Sequence, residues 1–169
     1  MARRRLEYAS AASPLGELLV VASERGIVRL AFPEEEPTLV LEEVAADLGA
    51  GPVSSPSSLR AFGVELQEYF GRRRTAFETA LDLSLVRGFV RRSLEAAAAI
   101  PYGRVATYGE MAARAGSPRA ARAAGNAMRH NPVPILVPCH RVVPADGSIG
   151  GYGGQEERKA WLLDLEATP

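Results

Sequence analysis

Cys139 and His140 are neighbours in Pro138-Cys139-His140-Arg141-Val142, and a thiol beside an imidazole is a pairing from which sulfur nucleophiles are built. Only the thiolate attacks carbon, and a free cysteine, with a pKa of about 8.5, is mostly protonated at neutral pH. A working nucleophile therefore needs a group that takes the proton. His140 is the nearest candidate, although its ring cannot readily turn back on the adjacent side chain. Cys139 is the only cysteine, so an intramolecular disulfide is impossible and a cysteine-based zinc site lacks ligands. No metal and no cofactor is expected. The plain alternative is packing. A lone cysteine behind the apolar Ile135-Leu136-Val137 is more often an inert core residue, with His140 a hydrogen-bonded core histidine and Glu166 a surface charge.

The 169 residues carry 20 basic and 20 acidic side chains, and zero net charge argues against a nucleic-acid binder that depends on many phosphate contacts. The distribution argues the other way. Between residues 87 and 141 stand nine arginines (87, 91, 92, 104, 114, 119, 122, 129 and 141) against only Glu95 and Glu110, while every charged residue of segment 34–47 is acidic. A basic face can survive in a neutral protein when the halves differ in sign. Lys159 is the lone lysine. No run of about 18 apolar residues exists, and Met1-Ala2-Arg3-Arg4-Arg5-Leu6-Glu7 lacks the apolar stretch of a secretory signal, so a cytoplasmic protein without a membrane partner is expected.

The elements that must position these residues fall into two blocks. Apolar runs at 18–22 and 27–32, joined by Ser23-Glu24-Arg25-Gly26, predict a β-hairpin. A short helix is expected over 39–48. Another opens at Pro56-Ser57-Ser58 and carries Leu59, Phe62, Leu66, Tyr69 and Phe70 at helical spacing, and 77–83 reads as a strand. A helix over about 88–99 stops at Pro101-Tyr102-Gly103. Thr107 can cap a short helix through Ala115, Gly116 can end it, and Ser117-Pro118 can start the next, running to Arg129. Helix, glycine turn, helix is the helix-turn-helix layout, though such corners are common away from DNA. On the second helix Arg119, Arg122, Asn126 and Arg129 share one side and Ala120, Ala121, Ala124 and Met128 the other. Taken alone, that is a solvated stripe.

The Pro-Cys-His-Arg-Val core resembles the signature of the O6-alkylguanine-DNA alkyltransferases, also called methylated-DNA:protein-cysteine methyltransferases. The resemblance extends to Ile100-Pro101-Tyr102-Gly103, Thr107-Tyr108-Gly109-Glu110, Ala120-Ala121-Arg122-Ala123, Gly151-Tyr152-Gly153-Gly154 and Trp161-Leu162-Leu163 with Glu166 after it. The match is close over residues 89–166 and weaker before that, where Ser13-Pro14-Leu15-Gly16 and Glu68-Tyr69-Phe70 carry it. It implies an α/β N-terminal domain of ribonuclease-H-like fold over 1–83. It also implies a mainly α C-terminal domain with a winged-helix-like helix-turn-helix over 84–169.

The resemblance further implies repair of O6-alkylguanine in DNA by direct, irreversible, single-turnover transfer of the alkyl group to Cys139, with O4-alkylthymine a further candidate substrate. In the family the thiol proton passes through a water to the histidine matching His140, which a glutamate matching Glu166 orients. Tyr108 hydrogen-bonds or protonates the departing purine, and Asn131 holds the turns that set the cysteine. Arg122 enters the DNA stack to fill the gap left by the extruded nucleotide, with Arg119, Asn126 and Arg129 beside it on double-stranded DNA, bound through the minor groove by a monomer. Tyr152, Gly153, Gly154, Val142, Met128 and Pro134 are implied as the guanine pocket. Gly153 stands where some members have serine, which leaves only a backbone donor there, and Ser93 stands where a large apolar residue is usual. Two competitors keep different chemistry: a non-catalytic lesion-binding protein of the alkyltransferase-like kind, whose members lack the cysteine, and a cysteine hydrolase, which turns over many times.

Overall fold

A computed structural model of the chain describes residues 4–167. The chain divides into two compact units, at Leu85 and Val86.

In the first unit, strands β1 (Leu6–Ala11), β2 (Leu18–Ser23) and β3 (Gly26–Ala31) form an antiparallel meander, and β4 (Val53–Ser54) pairs parallel to β1, giving the order β3-β2-β1-β4. The hairpin forms where its apolar runs predict it. The strand β1, Leu6-Glu7-Tyr8-Ala9-Ser10-Ala11, carries no such apolar run and is not among the strands expected from the sequence. Helix α1 (Pro37–Leu48) lies on one face of the sheet, with Val40 against Leu19 and Ala31, and Val44 against Leu6, Val21 and Val28. It begins two residues earlier than the apolar spacing indicates. Pro37 occupies its first turn, and the Glu36 carboxylate accepts from the amide of Leu39 at 2.8 Å, satisfying a donor that has no partner within the helix. Leu59, just ahead of helix α2 (Arg60–Phe70), and Phe62 and Gly63 within it line a pocket shared with Ala9 and Val20.

The strand expected over 77–83 does not form, apart from one isolated bridge between Ile27 and Leu81. The buried carboxylate of Glu65 takes the donors a ladder needs, accepting from the amides of Glu78 (2.7 Å) and Thr79 (3.2 Å) and from the Thr79 hydroxyl. Phe77 meanwhile turns onto α2, its ring 5.9 Å from that of Phe62 and 5.4 Å from that of Tyr69. A side chain thus competes successfully with sheet pairing.

The second unit runs α3 (Gly88–Ala98), β5 (Ala106–Thr107), α4 (Tyr108–Arg114), α5 (Ala121–Arg129), a single 3-10 turn at Cys139–Arg141, β6 (Val142–Val143) and α6 (Glu156–Ala167). Thr107 caps α4 reciprocally: its hydroxyl accepts from the amide of Glu110 (3.1 Å), and the Glu110 carboxylate accepts from the amide of Thr107 (2.6 Å). Helix α5 starts at Ala121, three residues later than a start at Pro118 behind a Ser117 cap, because residues 117–120 form a turn closed by the Ala120 amide on the Ser117 carbonyl (2.9 Å). Arg119 therefore lies in the turn ahead of the helix, and its side is not set by helical spacing. No helix among the described residues is long and apolar enough to cross a membrane.

Replacing Glu65 by alanine should cost about 2 kcal/mol, because the part-buried amides of residues 78 and 79 and the Thr79 hydroxyl lose their acceptor. Urea unfolding of the two proteins measures it, and a difference below about 0.5 kcal/mol, the scatter of neutral surface changes, contradicts the pinning role.

Candidate active site

Cys139 reaches its place through a strained turn. Ile135, β-branched and buried, has φ +76°, a conformation that costs such a residue of order 1–3 kcal/mol. The turn around it is held by Asn131, whose Nδ2 donates to the carbonyl of Val137 (2.8 Å) and whose Oδ1 accepts from the amide of Val133 (3.0 Å). The amide of Val137 also donates to the Val133 carbonyl (2.9 Å), and that of Cys139 to the Val137 carbonyl (2.8 Å). From the 3-10 turn the chain enters β6, which pairs parallel with β5: Ala106 beside Val142, Thr107 beside Val143. The pairing brings the start of α4, and with it Tyr108, alongside the segment that carries the cysteine.

His140 is fully buried, and its Nε2 lies 2.8 Å from Oε1 of Glu166. An ionised carboxylate only accepts, so the shared proton sits on Nε2 and Nδ1 keeps its lone pair. Nδ1 is buried and bonded to no protein atom. Glu166 is held a second time by Arg141, whose Nε donates to Oε2 and Nη2 to Oε1, both at 2.8 Å, while Nη1 donates to the Ile100 carbonyl at 2.6 Å. The guanidinium also lies 5.7 Å from the centre of the Tyr102 ring. Arg141, counted above with the basic stretch, is thus 7% exposed and paired, and adds nothing to a basic surface.

Burial pushes the Cys139 thiol above its ordinary pKa, and hydrogen bonds from Asn131 and Tyr152 together with the charge of Lys159 pull it back. Burial likewise pushes His140 below its ordinary value, against the hydrogen bond and charge of Glu166. Both effects favour a neutral thiol beside a neutral imidazole at rest.

Lys159, which the sequence reading passed over, belongs to this group. It is fully buried, and its Nζ donates to the carbonyl of Val142 (2.7 Å), to that of Gly151 (3.3 Å) and to the hydroxyl of Tyr108 (3.4 Å). Two features mark it in the sequence: it is the single lysine of an arginine-rich chain, and it precedes Glu166 by seven residues, two helical turns on one side of α6 with Leu162 between. Burial also raises the pKa of Tyr108, and the charge of Cys139 adds to that. Gly150, at φ +77°, must be glycine, because a Cβ there meets Pro144 Cδ at 2.7 Å and lies 3.3 Å from the Tyr108 hydroxyl.

Among the remaining candidates, Val142, Pro134 and Met128 are buried, while Gly153 and Gly154 are exposed and left-handed, at φ +59° and +84°. Arg122, Asn126 and Arg129 lie exposed on one side of α5, whose other side buries Ala124, Ala127 and Met128, and Arg119 is exposed ahead of it. Ala121 falls on the exposed side, contrary to the expected apolar stripe, and Ala127 takes its place. The structure thus gathers Cys139, Asn131, Tyr152, Tyr108 and Lys159 into one cluster and joins His140 to Glu166 within the same unit.

A single buried thiol followed by an imidazole–carboxylate pair and faced by a cation is the layout of a cysteine nucleophile. Two models of one family cover nearly the whole chain: 6-O-methylguanine DNA methyltransferase, ribonuclease-like domain, over residues 6–83, and the DNA binding domain of the same family over residues 88–168. The chain is 36% identical to the methylated-DNA–protein-cysteine methyltransferase of Cricetulus griseus, over 98% of this chain and 84% of the relative. It is 38% identical to that of Mycolicibacterium paratuberculosis, over 95% and 92%. A crystal structure of Mycobacterium tuberculosis O6-methylguanine methyltransferase matches with TM-score 0.78 and 37% identity over 96% of this chain and 93% of that one. One of Mycobacterium tuberculosis OGT in complex with DNA matches with TM-score 0.80 and 36% identity over 95% and 92%. The chain belongs to the 6-O-methylguanine DNA methyltransferase family, with its N-terminal ribonuclease-like and C-terminal DNA-binding domains.

The depressed pKa of His140 has a thermodynamic signature. Below its ordinary value of 6.5 the unfolded chain binds a proton that the folded site refuses, so this residue's contribution to stability is complete above pH 6.5 and declines as pH falls. Stability should therefore fall between pH 7.5 and pH 5.5. Urea midpoints at the two pH values measure it, and an unchanged stability means that His140 titrates normally.

Proposed function

We propose that this protein repairs DNA by transferring an alkyl group from O6 of guanine irreversibly to the sulfur of Cys139. The observation that carries the reading is the Cys139 turn, set beside the His140–Glu166 pair in a chain that matches its family from end to end. The thiol gives its proton, through a water, to the free lone pair of His140 Nδ1, and the resulting cation is stabilised by Glu166. The thiolate attacks the alkyl carbon, the bond from that carbon to O6 breaks, and guanine departs as its charge is met by a proton or hydrogen bond from Tyr108. The product is a thioether. It lacks the electrophilic carbonyl that lets water release an acyl-enzyme, so the protein acts once, which separates it from a cysteine hydrolase. Possession of Cys139 separates it from the lesion-binding proteins of the alkyltransferase-like kind.

A buried thiol cannot meet a base inside the duplex, so the nucleotide is extruded at a cost of a few kcal/mol. Helix α5, the second of a winged-helix-like helix-turn-helix, lies in the minor groove with Arg122 in the vacated stack and Arg119, Asn126 and Arg129 beside it. The extruded guanine is held among Tyr152, Gly153, Gly154, Val142, Met128 and Pro134, and exposed glycine at 153 lets a backbone amide approach O6. Asn131 positions the cysteine. The ribonuclease-like unit takes the ribonuclease-H-like form, and the protein works as a cytoplasmic monomer.

Arg122→Ala should slow repair of O6-methylguanine in duplex DNA by roughly tenfold or more, while leaving reaction with free O6-benzylguanine nearly unchanged, since a free base needs no extrusion. Single-turnover rates on both substrates measure this, and equal losses would assign Arg122 to the fold instead.

A further inference from the structure

The sheet of the first unit has an edge that its own chain leaves open. Strand β4 pairs with β1 only as far as Tyr8, whose carbonyl accepts from the amide of Ser55 at 2.9 Å. The chain then turns away. The Ser55 carbonyl, next in line to meet a donor of β1, accepts instead from the Ser58 hydroxyl at 3.0 Å. Along a strand the amide and carbonyl of one residue point to the same edge and alternate residues share it, so Ser10 presents both groups where Tyr8 did. Ser10 is exposed, and no hydrogen bond to that side uses its amide or carbonyl among the described residues. Open edges are ordinarily guarded by charge or proline. This one consists of Ala9, Ser10, Ala11 and Ala12.

Across from it runs one side of α2. Arg60, Gly63, Val64 and Gln67, at the i, i+3, i+4, i+7 spacing of a single helix side, line the same cavity of about 270 Å³ as Ser10 and Pro56. Buried Ala9, Val20, Leu59 and Phe62 give the cavity its apolar lining. Val64 is left 47% exposed on its wall, and a Cβ on Gly63 would meet nothing within 4 Å, so there is room above the helix for a side chain from outside. The Arg60 guanidinium is exposed and has no ion pair among the described residues. A free strand edge facing a helix across an apolar gap is the geometry that receives a peptide as an added strand.

We propose that this groove binds the free C-terminus of a partner protein, which adds an antiparallel strand to β1 at Ser10, sets an apolar last side chain over Gly63 and places its carboxylate beside Arg60. The direction follows from how the groove ends. Ser55 and Pro56 occupy the edge beyond Tyr8 and lead into α2, so the groove is closed there, and Arg60, four positions after Pro56, puts its charge at that end. A segment antiparallel to β1 runs towards the closed end and must stop at it, which brings a carboxylate to the guanidinium. A parallel segment would have to begin there, and would bring an ammonium instead. The Ser10 amide donates to the peptide and its carbonyl accepts from it, which reads the backbone of any sequence, while the cavity selects Val, Ile, Leu or Phe at the last position.

The probes are fluorescein-labelled peptides of sequence Gly-Ser-Thr-Val-Thr followed by Val, Ile, Leu or Phe, each made with a free C-terminal carboxylate and again as the C-terminal amide. By fluorescence anisotropy with the full chain, at least one free acid should bind with a dissociation constant below about 1 mM, and its amide roughly tenfold more weakly, for want of the charged contact. In the protein labelled with nitrogen-15, the backbone amide signal of Ser10 should move as that peptide is added. Arg60→Gln should weaken the free acid by roughly tenfold and leave the amide unchanged. Gly63→Leu should abolish binding by filling the groove, with no loss of melting temperature, because leucine forms helix better than glycine. Arg60 is exposed, so its variant tests the proposal independently of how Gly63→Leu folds. No binding of any free acid at about 1 mM, equal binding of acid and amide, an unmoved Ser10 signal on binding, or binding that survives a folded Gly63→Leu overturns the proposal.

Discussion

The carboxylate of Glu166 is buried in the second unit, and a buried carboxylate is tolerated only where cations and donors replace its water. Arg141 supplies a two-pronged contact and the imidazole of His140 a third, while the remaining arm of Arg141 reaches the carbonyl of Ile100 just beyond α3. One anion thereby fixes the 3-10 turn relative to both α6 and the end of α3. The same contact settles which nitrogen of His140 carries the proton, and so which is left to receive another. If Arg141 were absent, Glu166 would bind His140 alone and hold it closer to the cation. Burial, with the charge of Arg141 added to it, favours a neutral imidazole, ready to accept.

Burial works against the chemistry at rest and in favour of it during reaction. It raises the thiol and lowers the imidazole, so few molecules hold the charge-separated pair before substrate arrives. In the same dry surroundings each compensating contact counts for more than it does in water. Asn131 and Tyr152 favour the thiolate through hydrogen bonds, and Lys159 favours it through charge. The left-handed Ile135 shows that the chain accepts local strain to bring the cysteine into this place, with Asn131 closing the turn on both sides.

Much of the architecture was legible because local chemistry agreed with the fold. The hairpin of β2 and β3, the Thr107 cap of α4 and the stop at Pro101 each rest on neighbouring residues. Features depending on partners far along the chain were not. The segment 77–83 has strand composition, but Glu65, thirteen residues earlier, takes its amides. Arg141 reads as surface charge until Glu166 folds beside it. Lys159 reads only as the lone lysine of the chain, although its place two turns before Glu166 on α6 puts both on the buried side of one helix. Arg119 was assigned to a helix that starts two residues after it, because Ser117-Pro118 makes a turn as readily as a helix start.

The central claim is that a single alkyl group comes to rest on the sulfur of Cys139, and intact mass tests it most directly. After incubation of the protein with excess O6-methylguanine DNA, its mass should rise by one methyl in place of one hydrogen and no further, with fragmentation placing the addition on Cys139 and Cys139→Ser showing none. An unchanged mass with loss of the lesion, or a methyl found on any other residue, would contradict the account.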